Sequence, residues 1–130
     1  MIKPLKVTMI VYAVIGILFG LAWIFVPRQV GAMLGHEAGT ASVFAMAVML
    51  GASWIAACIF LIIAARDPLK HILWVKYVIV FAILSLAAEL YSFILGYMEF
   101  SQVVIGIVIH AVFAAAFLAF YPWRAARSGE

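Results

Sequence analysis

Two ionisable side chains stand in the middle of long apolar runs. Glu89 lies in Ser85-Leu86-Ala87-Ala88-Glu89-Leu90-Tyr91-Ser92 and His110 in Gly106-Ile107-Val108-Ile109-His110-Ala111. A carboxyl and an imidazole can share a proton, work as an acid–base pair or hold a polar ligand. A charged side chain at the centre of a membrane helix costs about 2.5–3.5 kcal/mol on insertion scales, so each asks for a functional reading. Tyr12, Ser53, Ser85 and Ser92 also fall inside apolar runs and join Glu89 and His110 as candidates to bind a ligand or proton.

Other chemistry is absent from the pattern. The chain has no phosphate loop, serine-nucleophile motif or HExxH, so no residue is given a catalytic role. Its single cysteine, Cys58, allows no intrachain disulfide, redox pair or cysteine zinc site, and reads as a small packing residue. One Glu and one His are too few for a dedicated metal site. Haem needs two axial ligands at one depth. His71 sits at a span edge and His110 near the middle; Met46 or Met49 falls near the level of His110, but methionine commonly packs. Cofactor use is left unassigned. His36-Glu37 reads as a surface pair.

The elements that must carry these residues follow from composition. Of 130 residues, 70% are hydrophobic and 10% charged, whereas soluble domains run nearer half and a quarter. A soluble fold of this length could not hide so much apolar surface, so lipid must cover it. A span needs roughly 20 apolar residues. Four stretches qualify, at about residues 5–26, 41–65, 69–97 and 102–121. They must be helices, because lipid offers an open strand no hydrogen-bond partner. The expectation is an all-α, integral membrane four-helix bundle of antiparallel up-down connectivity, forming one domain over residues 1–130. The first stretch is too long for a signal peptide's ~7–15-residue core and lacks a small-x-small cleavage site, so it is expected to be a retained span.

Boundary residues support these limits. Pro4 suits a first helical turn, and Pro27 ends the first span. Thr40, Asp67-Pro68 and Ser101 are the expected starts of the second, third and fourth. Between Pro27 and Gly39, Val30, Met33 and Leu34 alternate with polar residues as in a short interfacial helix. With both termini in the cytoplasm, Lys3, Lys6, Arg66, Lys70, Lys76, Arg124 and Arg127 lie inside and only Arg28 outside, a strong positive-inside signal. The net charge of +3 is thus read as topology, and no nucleic-acid partner is expected.

The tight turn after Tyr97 makes the third and fourth helices antiparallel neighbours. Glu89 and His110 each lie eight residues from the expected helix ends at 97 and 102. At ~1.5 Å per residue both sit about 12 Å deep, so they share a level. Ala82, Ser85, Glu89, Ser92 and Gly96 form one small, polar stripe, and Gly106, His110 and Ala114 another. Gly16 and Gly20 in the first helix, and Ser42, Met46, Met49 and Ser53 in the second, are read as further helix-contact stripes. Gly16, Gly20 and Gly106 are the expected packing glycines, with Gly16/Gly20 serving contact within one chain or self-association.

The run Gly16-Ile17-Leu18-Phe19-Gly20-Leu21-Ala22-Trp23-Ile24-Phe25-Val26-Pro27, followed by a short amphipathic piece ending Met33-Leu34-Gly35, resembles DoxX-like small four-helix membrane proteins. The pattern covers the first third of the chain. The resemblance implies a multi-pass protein of the bacterial inner membrane, in a group tied in some cases to quinone-linked redox complexes. It supplies no catalytic signature for Glu89 or His110.

Three functions remain open. One is a non-enzymatic membrane subunit or lipid- or small-ligand-binding bundle, with membrane lipids, further copies of itself or a larger membrane complex as partners. The second is an oligomeric proton-coupled transporter using Glu89. The third is an oxidoreductase partner or isomerase acting on a quinone or lipid. The Glu89–His110 pair can equally hold helix register, form the floor of a pocket, or split between different partners.

Overall fold

The structure is a computed structural model that describes residues 2–34 and 40–123. It contains α1 (Ile2–Phe25), α2 (Pro27–Met33), α3 (Ala41–Ala65), α4 (Ile72–Ile94) and α5 (Phe100–Phe120). Four of these, all but α2, are long and apolar enough to cross a membrane. Gly35, the His36-Glu37 pair, Arg124 and Arg127 lie outside the described residues.

Local chemistry sets each end. Proline biases the residue before it away from the helical region, and Val26 is accordingly non-helical (φ −133°, ψ 49°) between α1 and α2. Pro27 then occupies the first turn of α2, where its missing N–H is no loss. A short helix thus stands where the sequence predicts one. Its Arg28 guanidinium lies 5.9 Å from the centre of the Phe44 ring on α3, a cation–π contact. Thr40 holds the N-cap position of α3, but its hydroxyl bonds Ser42 Oγ at 2.8 Å instead of the helix backbone.

The third and fourth spans begin and end differently from expectation. α4 starts at Ile72, not at Asp67-Pro68. Asp67 nests the chain in a turn of its own: its side chain accepts from the Lys70 N–H (3.3 Å) and its carbonyl from the His71 N–H (3.1 Å). α4 stops at Ile94 instead of running to Tyr97, because Gly96 adopts φ +70°. The Tyr97 N–H reaches back to the Ser92 carbonyl and the Gly96 N–H to that of Phe93, a Schellman closure that glycine makes easily. Ser101 does not cap α5. Glu99 does, in a reciprocal box with Gln102, whose Oε1 accepts the Glu99 N–H at 2.8 Å.

The four long helices form two intimate pairs, α1 with α3 and α4 with α5, joined by lighter α1–α5 and α3–α4 contacts. Glycine explains the first pair. A Cβ on Gly20 would lie 2.7 Å from the Gly51 carbonyl oxygen, and one on Gly16 2.5 Å from Cys58 Sγ. Gly16 and Gly20 therefore pack within the chain, against α3. In lipid, where apolar surface gains little by leaving its solvent, such close approach is what holds helices together.

Burial concentrates at the end where the described residues begin and finish. Leu5, Met9 and Ala13 of α1, Leu61 and Ala64 of α3, Val75 and Val78 of α4, and Phe117 of α5 are all buried there. Lys6 Nζ donates to the Arg66 carbonyl at 2.6 Å, placing a cation on the C-terminal end of α3. Toward the opposite end the two pairs part.

The stripe Ser42, Met46, Met49 and Ser53 does not face the interior. Met46 is 70% and Met49 72% exposed, on the outer surface of the bundle. Ser53 is exposed with them and returns its hydroxyl to the Met49 carbonyl at 2.9 Å. A serine that bonds its own preceding turn is already satisfied, so polarity does not force it inward. The smallest residues do face inward, because α1 demands close approach: Gly51 and Cys58 line that side of α3.

Candidate functional site

Where the helix pairs part, a cavity of about 290 Å³ remains. It is lined from Leu34 and Met98 at the loop end down to Leu61 and Val78 on the packed core. Its walls are apolar and aromatic, with Tyr12 and Phe19 from α1, Trp54 from α3, and Tyr77 and Phe81 from α4. The rings brace one another: Trp54 sits 6.4 Å from Phe81 edge-on, and Tyr12 sits 4.8 Å from Phe113 and 5.6 Å from Phe117. Edge-to-face contacts of this kind fix ring orientation.

Glu89 and His110 meet across the α4–α5 pair and both line the cavity. His110 Nδ1 and Glu89 Oε1 are 3.0 Å apart, a hydrogen bond with one proton between them. The side chains are 12% and 23% exposed respectively. The other carboxylate oxygen, Oε2, is covered and has no hydrogen-bond partner among the described residues. A buried acceptor left unmatched costs about 1–3 kcal/mol, so this site holds an unmet demand.

Gly106 makes the arrangement sterically possible. A Cβ at that position would overlap Glu89 Oε1 and lie 2.8 Å from its Cδ. The carboxylate therefore occupies the space that any other residue at 106 would fill with its own side chain. One turn further along α5, His110 follows at the spacing that puts both on one face.

Among the sequence candidates, Tyr12, Glu89, His110, Gly16 and Gly106 line the cavity together. Ser85, Ser92 and Ser53 are not among its lining residues. Ser92, like Ser53, gives its hydroxyl to its own helix, at the Ala88 carbonyl 2.8 Å away. Gly20 lies in the α1–α3 crossing instead. Sequence reasoning did not single out Trp23, Trp54, Tyr77, Phe81 or Gln102 as site residues; all five line the cavity. Aromatic residues in an apolar helix carry no signal of which way they point. Among the described residues, no third His, Cys, Asp or Glu joins the pair to make a metal-binding group. Met46 and Met49 face away from it.

An apolar exterior, four spanning helices and one polar centre define a small multi-pass membrane protein built as a helix bundle. The chain matches no protein-family model, no curated protein and no solved structure.

Proposed function

We propose that this protein is a membrane-embedded binding bundle for a small, mainly apolar molecule that carries one hydrogen-bond donor. The observation that supports it is the Glu89 Oε2 atom, buried without a partner beside an aromatic-lined cavity. Were the pair there only to hold helix register, a cavity of this size would be an unexplained loss of packing, since interiors otherwise close to crystal-like density. About 290 Å³ is the lower end of the range for small-molecule pockets, whose linings are largely apolar with a few placed polar groups. In keeping with the DoxX-like resemblance, the proposed setting is the bacterial inner membrane, where the bundle serves as a subunit or ligand carrier.

Mass spectrometry of molecules extracted from purified protein tests the proposal. Wild type should carry one small molecule in near-stoichiometric amount, and Ala57→Leu, which fills the cavity wall, should lose it. Finding only bulk lipids, in equal proportion for both proteins, would defeat it.

A further inference from the structure

The charge character of the cavity narrows the ligand. Among the described residues no Lys or Arg lines it, and Glu89 is its only acidic residue. The hydrogen-bond partner of Glu89 among these residues is His110, and a carboxyl placed there can give its proton to a basic amine and hold the resulting cation as counterion. A ligand that offers only acceptors, such as a quinone or an ester, leaves Oε2 unmatched. An alcohol supplies a donor and no charge. An amine supplies both.

The walls favour the same choice. Tyr12, Phe19, Trp23, Trp54, Tyr77 and Phe81 surround the space, and aromatic faces attract cations, the more so where water is excluded. Oε2 is covered as it stands. The Glu89 side chain lines the cavity and is 23% exposed, however, and modest changes in its torsions carry an oxygen to the lumen without moving α4.

Resting on the binding reading above, we infer that the ligand is a lipophilic amine bound as its cation, with the ammonium at Glu89 and the apolar body among the aromatic rings.

Equilibrium dialysis of nanodiscs made with zwitterionic lipid, corrected against empty discs, tests this with 2-naphthylmethylamine and its neutral counterpart 2-naphthylmethanol. The amine should bind wild type about tenfold or more tightly than the alcohol, from cation–π and carboxylate contacts together. Glu89→Gln should bring that ratio close to unity while the alcohol still binds. Equal affinities on wild type overturn the cation assignment and leave the cavity as a binding site for neutral molecules. Binding of neither compound overturns both readings. If Glu89→Gln does not fold, Phe81→Leu serves in its place. Removing that ring should weaken the amine about threefold, and more than the alcohol. An equal loss for both would count against the cation.

Discussion

Glu89 and Gly106 depend on each other: the acid needs a partner helix with no side chain at the contact, and glycine supplies that gap. Gly106→Ala should push the carboxylate away from His110 and destabilise the bundle by about 1–3 kcal/mol, as overpacking does. Reversible unfolding in mixed micelles reads the loss, and the His110 ring resonances read the broken bond. Unchanged stability with unchanged resonances would mean that the carboxylate does not sit over residue 106. The bond itself contributes less. Polar contacts between membrane helices average about 0.6 kcal/mol and reach about 1.7, because the separated helices find other partners. A double-mutant cycle with Glu89→Gln and His110→Asn should return a coupling in that range. A coupling of zero would show that the pair is not formed.

At the scale of the helices, closeness of approach decides which face of α3 turns inward. Gly51 meets the α1 backbone, where a Cβ would lie 2.6 Å from the Gly20 carbonyl oxygen. Gly51→Val should therefore force the helices apart and cost at least about 1–3 kcal/mol. Ser53→Ala, on the outer face of the same helix, should stay within about 0.5 kcal/mol of wild type. Thermal unfolding in detergent distinguishes the two. Equal effects would mean that α3 is rotated from the orientation described. The contact of Gly16 and Gly20 with α3 predicts a lower melting temperature for Gly16→Leu and Gly20→Leu, which a role in self-association would not. In that case their replacement by leucine would change oligomer size and leave the monomer's melting temperature alone.

For the whole molecule, an even number of spans returns the chain to the side on which it began. Leu5 near its start and Tyr121 near the end of the described residues share one core cluster. The structure thus places the ends of the described chain together, while the distribution of lysine and arginine says which side that is. A reporter fused after Glu130 should be active in the cytoplasm and silent in the periplasm. A periplasmic reporter would overturn the orientation and leave the helix packing untouched. The uneven core has its own consequence. The end where the described residues begin and finish is closed by Phe117, Leu5 and Met9, so the proposed ligand would enter from the loop end or sideways between the pairs.

Length and apolarity alone determined the number and kind of spans, since a lipid solvent leaves the backbone no alternative to helices. The Glu89–His110 pair was legible as well, through equal spacing about a tight turn. It is present although α4 ends three residues sooner than the sequence suggests, because the positive φ of Gly96 becomes visible only once the backbone is traced. Helix rotation was not legible. Ser53 and Ser92 looked inward by polarity, yet each hydroxyl satisfies itself on its own helix and so carries no directional information. The cavity was equally hidden. It exists because α1–α3 and α4–α5 each pack more closely within the pair than the pairs do with one another, a balance of contacts that only the tertiary structure decides.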